Sequence, residues 1–135
     1  MADLSNNEIA KIISREVVNG GDYSLVTKYI ATDYRYHGIG GMAAAGPEGF
    51  ASAIREFRTA LPDLRSEIKS IVSEGDFVVL RFDFTGTHAG PFLGIAATGK
   101  HVHFEGIIMR RFHNSQVIED WDYFDMPTVL RQLQA

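Results

Sequence analysis

The densest group of potentially reactive side chains is an acidic segment near the end of the chain, at residues 119–125. Successive side chains of a β-strand point to opposite faces, so Asp120, Asp122 and Phe124 would share one face of a strand. An acid beside apolar side chains in a dry pocket has its charged form destabilised and its pKa raised. Such a carboxyl group suits general acid or base work near neutral pH, and Asp122 is the best candidate.

A simpler interpretation of the same segment is also open. Surface acids are common, and these side chains could be solvated charges near a strand end. Asp125 would then cap the last helix. Spacing alone favours this interpretation over a catalytic one.

The second candidate group is Arg81-Phe82-Asp83. Arg81 and Asp83 share one strand face with Phe77 and Val79, opposite an apolar row. If that face lines a pocket, an arginine between two acids could hold one ionised while the other keeps its proton. If the face is wet, the group is a cross-strand ion pair that contributes little.

Composition excludes several classes of protein. The chain has no cysteine, which removes disulfides, thiolate catalysis and zinc-thiolate sites. His101, His103 and Glu105 alternate along a strand but would need a further ligand, so we expect no metal and no cofactor. The net charge of −4 and the scattered lysines and arginines predict no nucleic-acid partner.

The chain also lacks the features of an exported or membrane-bound protein. No apolar run approaches the roughly 20 residues that a membrane span needs, so we expect no membrane association. Residues 1–8 are polar and acidic and lack the pattern of a signal peptide. We therefore expect a cytoplasmic protein.

The sequence pattern predicts the helices and strands that must position these candidate side chains. Ser5 and Glu8 form a capping-box pattern at the start of a helix that stops at 19–21. A short helix, a strand at 33–37 and a Gly- and Ala-rich loop at 38–46 follow. Pro47 opens a third helix that ends at Pro62. The remaining elements are strands at 64–72, 77–88, 101–112 and 117–125, and a helix at 127–133.

Early helices followed by meandering strands predict an α+β fold in one domain, residues 1–135. Long strands with a helical layer predict a curved antiparallel sheet with helices packed on its concave side. A concave sheet face is a natural pocket for an apolar small molecule.

Several stretches resemble a known family. They are the run from Gly86 to Ile95 with Thr98-Gly99-Lys100 after it, the segment 58–64, and the ending Leu130-Arg131-Gln132-Leu133. Together they resemble the SnoaL-like polyketide cyclases, and the match covers nearly the whole chain. The resemblance implies the cone-shaped fold of the nuclear-transport-factor-two-like superfamily and a homodimer packed through the sheet.

The resemblance also implies roles for residues. One aspartate on the last strand of these cyclases is the acid/base of an intramolecular aldol closure, and its position here is Asp122. A histidine on the preceding strand falls at Ile108 in this chain. Arg81 would stabilise oxyanion charge. The residues expected to line the pocket around a small apolar or polyketide-like substrate are Tyr36, Trp121, Phe104, Ile108 and Phe124.

Two alternatives remain. Arg81, Asp83 and Asp122 are similar to the charged residues of limonene-type epoxide hydrolases, and Tyr36 to their water-holding tyrosine. In that reaction Asp122 would activate water, a protonated Asp83 would donate to the epoxide oxygen, and Arg81 would bridge them. The third hypothesis is a non-catalytic small-molecule binding domain, because fold does not fix function.

Overall fold

The computed structural model describes residues 4–135 and begins with a capped helix. The Ser5 hydroxyl accepts a hydrogen bond from the Glu8 backbone N–H, and the Glu8 carboxylate accepts one from the Ser5 N–H. This helix, α1 (Asn6–Ile12), continues into a π-helical segment (Ile13–Asn19) that stops at Gly20. A Cβ at Gly20 would lie 2.6 Å from the Glu16 carbonyl oxygen, so glycine suits this close approach.

The other elements follow the predicted order with shifted ends. The second helix is a single turn, and Ile30 already belongs to the first strand. Part of the predicted loop at 38–46 forms a short strand instead, because it pairs with the strand before it. The helices are α2 (Val26–Tyr29), α3 (Gly46–Ala60) and α4 (Met126–Gln134). The strands are β1 (Ile30–His37), β2 (Ala43–Ala45), β3 (Arg65–Glu74), β4 (Phe77–Thr87), β5 (His101–His113) and β6 (Gln116–Phe124).

All six strands form one sheet in the order β2-β1-β6-β5-β4-β3. The α+β prediction is confirmed, with one difference in strand direction. Strands β3 to β6 meander antiparallel as predicted, but β1 pairs parallel with β6. A parallel pair needs a long crossover connection, and most of the chain lies between these two strands. The fold is therefore a mixed, curved sheet.

The register of the ladder decides which side chains share a face. Leu80 pairs with Ile108, and Ile108 pairs with Asp122. The neighbouring row joins Arg81 to Ile107 and Ile107 to Tyr123. Directly paired residues point to the same side of a sheet. Asp122 therefore lies on the side of the buried Leu80, and Arg81 lies on the side of the exposed Tyr123.

Helix α3 covers the concave side of the sheet. Pro47 stands in its first turn, and the helix ends at Ala60, just before Leu61-Pro62. Phe50 and Ala51 are buried beneath it against the core. Apolar burial of this kind is the main favourable contribution to folding. Within residues 4–135, no helix combines the length and the apolarity that crossing a membrane requires.

Candidate active site

A small cavity lies between α3 and the concave face of the sheet. Its volume is about 70 Å³. The wall is mainly aromatic, and its rings belong to Tyr34, Tyr36, Phe50, Phe57, Phe84, Phe104 and Phe124. Ile108 adds an aliphatic surface. Three charged side chains reach this otherwise apolar space: Arg110, Asp120 and Asp122.

Asp122 is the carboxyl group without a counter-ion of its own. Its Oδ1 is shielded from water and has no hydrogen-bond partner. Burial raises the pKa of Asp122 from its ordinary value of 3.8 to about 7, and the negative charge of Asp120 adds to the rise. Arg110 and the hydroxyl of Tyr36 oppose it. A carboxyl group with this pKa exchanges protons readily near neutral pH.

Asp120, two residues away on the same face, is fully paired. The Arg110 Nε lies 2.7 Å from its Oδ1 and Nη2 lies 3.2 Å from its Oδ2, a bidentate contact. The Tyr34 hydroxyl donates a third hydrogen bond to Oδ2 at 2.7 Å. Arg110 and Asp120 are both buried. A buried ion pair with its lone pairs satisfied is a fixed charge arrangement, and it sets the field in which Asp122 titrates.

The sequence carried a signal for this network that our prediction did not use. In β5 the buried positions alternate from Val102 to Phe112, and Arg110 occupies one of them. A charged residue inside an apolar alternation needs a buried partner of opposite charge. Asp120 is the paired residue of Arg110 on β6.

Tyr36 completes the polar part of the cavity. Burial raises the pKa of the Tyr36 phenol above its ordinary value, and the charge of Asp122 raises it further. The phenol therefore keeps its proton and stays a hydrogen-bond donor beside Asp122. A Cβ at Gly38 would lie 2.7 Å from the Tyr36 hydroxyl oxygen, so the absence of a side chain at Gly38 gives the ring its space.

Gly106 gives similar room to Phe124 across the β5–β6 ladder. The two residues are directly paired, and a Cβ at Gly106 would lie 2.3 Å from the Phe124 Cδ1. Because Gly106 has no side chain, the Phe124 ring lies across it and forms part of the cavity wall. The shape of the cavity therefore depends on Gly106, although this residue has no reactive side chain.

Arg81 and Asp83 do not share the cavity with Asp122, so the prediction of one joint pocket is wrong. Arg81 contacts Glu105 Oε1 at 3.2 Å and Ser70 Oγ at 3.3 Å on the outer face of the sheet. Asp83 lies 3.6 Å from Lys69 Nζ and 3.7 Å from His103 Nε2. The antiparallel register puts both on the side opposite Asp122. The epoxide hydrolase hypothesis needed the three together, and it loses its geometric basis.

Trp121 also lies away from the cavity, which corrects its assignment to the substrate pocket. Strand alternation turns it outward, where its ring stacks on His37 at a centroid distance of 5.3 Å. The Phe77 ring is 6.4 Å away on the same outer side. The other predicted pocket residues, Tyr36, Phe104, Ile108 and Phe124, are all in the cavity wall.

The histidines near the outer face form no metal centre in the part of the chain described, residues 4–135. No group of three or more His, Asp or Glu side chains there is arranged to hold an ion. His103 has Asp83 as its near acidic neighbour. His88 is fully buried elsewhere, with its Nδ1 2.9 Å from the Thr98 hydroxyl.

Comparison with known proteins shows which family the sequence matches. A family model described as SnoaL-like polyketide cyclase matches residues 10–133. No curated protein sequence matches the chain.

Several solved structures are similar along the whole length. AclR from Streptomyces galilaeus, described as a candidate hydroxylase, has 28% identity and a TM-score of 0.82, with 96% of this chain and 95% of that chain covered. IdmH from Streptomyces antibioticus, a candidate polyketide cyclase, has 26% identity and a TM-score of 0.85, with 98% and 100% covered. A SnoaL-like protein from Jannaschia sp. CCS1 has a TM-score of 0.88 at 23% identity, with 100% and 99% covered, and this likeness concerns the fold.

Proposed function

This chain belongs to the SnoaL-like polyketide cyclase family, and we propose that it is a cofactor-independent acid/base enzyme for an apolar carbonyl compound. Asp122 is the proposed catalytic residue. One observation carries the proposal: the Asp122 Oδ1 is buried in an apolar cavity without a hydrogen-bond partner. A structural carboxylate at such depth is normally paired, as Asp120 is, because an unpaired buried charge is costly.

The proposed reaction is an intramolecular aldol closure. The Asp122 carboxylate removes a proton from the carbon next to a carbonyl group, and the electrons of that C–H bond form an enolate. The enolate carbon then bonds to a second carbonyl carbon of the same molecule, whose oxygen becomes an alkoxide. The alkoxide takes the proton back from Asp122. The carboxylate is regenerated and no co-reactant is consumed.

The oxyanion needs a hydrogen-bond donor, and Tyr36 replaces Arg81 in this role. Arg81 lies on the opposite face, whereas the Tyr36 phenol stands in the cavity wall beside Asp122. Tyr34 is engaged by Asp120. A donor already in place in a dry cavity stabilises developing oxyanion charge more strongly than water does.

The test uses the first half of the reaction, which needs no knowledge of the natural substrate. The two-ring ketone 2-tetralone is incubated with the protein in D₂O, and proton NMR follows exchange at the carbons next to the carbonyl. We expect exchange above the buffer rate, and its loss in Asp122→Asn. Asp125→Asn is the matched control, because Asp125 is exposed on the same segment and asparagine also caps helices.

Full exchange activity in Asp122→Asn would refute the assignment. A protein without exchange activity that binds the ketone equally well with either residue would be a binding domain instead. The same reaction scheme requires no metal, so treatment with a chelator is expected to leave the exchange rate unchanged.

We further propose that the protein is a homodimer packed through the outer face of the sheet. Four large apolar side chains are exposed there or at its rim: Val72, Phe77, Ile107 and Tyr123. Ile107 and Tyr123 are directly paired across β5 and β6, so two exposed apolar side chains lie next to each other. Monomeric proteins seldom expose such patches without a partner.

A further inference from the structure

A second, larger concavity lies on the outside of helix α3. Its volume is about 650 Å³, compared with about 70 Å³ for the Asp122 cavity. Small-molecule sites usually occupy roughly 300–1,000 Å³. The outer groove falls within that range, whereas the Asp122 cavity holds only a few water molecules. A ring-forming substrate therefore exceeds the space around its proposed catalytic residue.

Phe57 is the wall that the two spaces share. On the cavity side its ring centroid lies 5.7 Å from that of Phe124. On the groove side it lies 5.6 Å from that of Phe92. Both contacts are edge-to-face, and the Phe57 side chain is only partly buried. Phe57 therefore stands between the groove and the cavity that contains Asp122.

The far wall of the groove is a turn held in a defined conformation. Phe92 and Ile95 exchange two backbone hydrogen bonds of 3.0 and 2.9 Å, and between them Leu93 has a φ of 53°. This left-handed backbone is uncommon for a residue with a bulky side chain and costs energy. Leu93 lines the groove and remains 37% exposed. Gly94 follows with a φ of 76°, so the two central residues of the turn are both left-handed and the Leu93 side chain is held at the surface of the groove.

The two walls differ in chemistry. Ile39, Met42 and Leu93 are apolar, and Met42 is 41% exposed. The α3 wall carries the polar groups of Ser52, Arg55, Glu56 and Thr59. Arg55 also donates a hydrogen bond of 2.9 Å to the Glu48 carboxylate. An occupant with broad apolar faces and hydroxyl or carbonyl groups along one edge would match both walls.

We propose that this groove is an outer subsite for the fused-ring body of an extended, hydroxylated carbonyl substrate, with Phe57 as the gate to Asp122. The inference rests on the proposed function, because it takes Asp122 as the point where the reacting end must arrive. In this arrangement the groove holds the bulk of the molecule, and the reacting carbonyl group alone passes Phe57. The groove and Phe57, rather than the cavity, then determine which substrates are accepted.

The experiment is a titration with 1-hydroxyanthraquinone, followed by NMR of protein labelled at its Ile, Leu and Met methyl groups. Met42 and Leu93 report on the groove, and Ile108 reports on the cavity. We expect all three signals to shift in the unmodified protein. In Phe57→Trp the larger gate should suppress the Ile108 shift and leave the Met42 and Leu93 shifts in place.

A second pair of variants tests the groove itself. Ser52→Trp places a large ring in the groove from an exposed helical position and should weaken binding about tenfold or more. Thr27→Trp is the matched control on an exposed helical position outside both spaces, and it should bind within about twofold of the unmodified protein. Unchanged methyl spectra far from each substitution verify that the variants are folded.

Three results would overturn the proposal: a shift of Ile108 without Met42 and Leu93, equal binding by Ser52→Trp and Thr27→Trp, or no methyl shift at saturating probe. The outcome is independent of catalysis. If Asp122→Asn keeps full exchange activity while the groove variants behave as expected, the function assigned to Asp122 fails and the groove stands. If Asp122 is needed but the groove variants bind normally, the groove proposal fails alone.

Discussion

Ile108 lies directly opposite Asp122 in the β5–β6 ladder, and both side chains face the cavity. Ile108 occupies the position at which the family resemblance implies a histidine. An isoleucine can neither share nor relay a proton, and it makes the surroundings of the carboxyl group drier. In the proposed reaction, proton transfer therefore falls to Asp122 itself, with Tyr36 as the hydrogen-bond donor beside it.

The exchange activity should follow the ionisation of Asp122. Because burial raises the pKa of Asp122 to about 7, the basic form increases as the pH rises through that value. We expect the rate of 2-tetralone exchange, corrected for the buffer reaction, to rise sigmoidally with a midpoint near this pKa. NMR measurements from acidic to mildly alkaline pH give the curve. A midpoint near the ordinary aspartate value would identify a solvated carboxylate instead.

Asp122→Asn should make the protein more stable at pH 8. A carboxyl group whose folded-state pKa exceeds its unfolded value binds more protons when folded, so its contribution to stability falls as the pH rises from about 4 to 7. Each unit of pKa shift corresponds to about 1.4 kcal/mol, so the gain is on the order of a few kcal/mol. Urea unfolding at several pH values measures it.

The gain of Asp122→Asn should shrink as the pH falls below 7 and nearly vanish below about pH 3, where Asp122 is protonated in both the folded and the unfolded state. Asp125→Asn serves as the comparison, because hydrogen bonds from Thr128 lower the pKa of that exposed carboxyl group. It should show no gain at pH 8. A stabilisation of Asp122→Asn that is independent of pH would contradict this account.

Arg110→Met should destabilise the protein far more than Arg111→Met. Removing Arg110 leaves Asp120 buried without its counter-ion, a change that typically costs about 3–5 kcal/mol. Arg111 pairs with Glu119 at 3.0 Å in a partly exposed contact, which is worth about 1 kcal/mol or less. Chemical unfolding of the two variants side by side provides the measurement. Similar losses for both would mean that the buried Arg110–Asp120 pair stabilises the fold no more than the partly exposed Arg111–Glu119 pair does.

Gly106→Ala should displace the Phe124 ring and destabilise the protein by about 1–3 kcal/mol, as overpacking does. The added methyl group would collide with the ring, which in turn forms part of the cavity wall. Replacing Phe124 by Leu in the same chain should recover much of the loss, because the smaller side chain can move aside. Thermal unfolding of the single and double variants tests the coupling, and additive losses would argue against it.

Ile107→Glu should convert the proposed dimer into a monomer. The substitution places a charge in the apolar patch next to Tyr123, where a partner would have to bury it. Light scattering coupled to size-exclusion chromatography gives the mass. Met42→Glu, at an exposed apolar position on the groove side, should leave the mass unchanged. A monomeric unmodified protein would refute the dimer.

Much of the architecture was predictable from local patterns. The Ser5–Glu8 capping box, the stop at Gly20 and the alternation of β4 act within a few residues, so the chain encodes them locally. The same alternation correctly grouped Asp120, Asp122 and Phe124 on one face of β6. The parallel pairing of β1 with β6 was missed, because it joins segments far apart in the chain.

For the candidate site, the sequence by itself determined that Asp122 and Phe124 share a face and that Arg81 and Asp83 share another. The sequence could not show whether these two groups lie on the same side of the sheet or on opposite sides. That relation depends on the pairing of Arg81 with Ile107 and of Ile107 with Tyr123, and a shift of the register by one residue would have reversed it. The tertiary structure alone decided that Asp122 lies under α3 while Arg81 and Asp83 lie on the outer face. Strand pairing and helix packing between distant segments fix the face of the sheet on which each side chain lies.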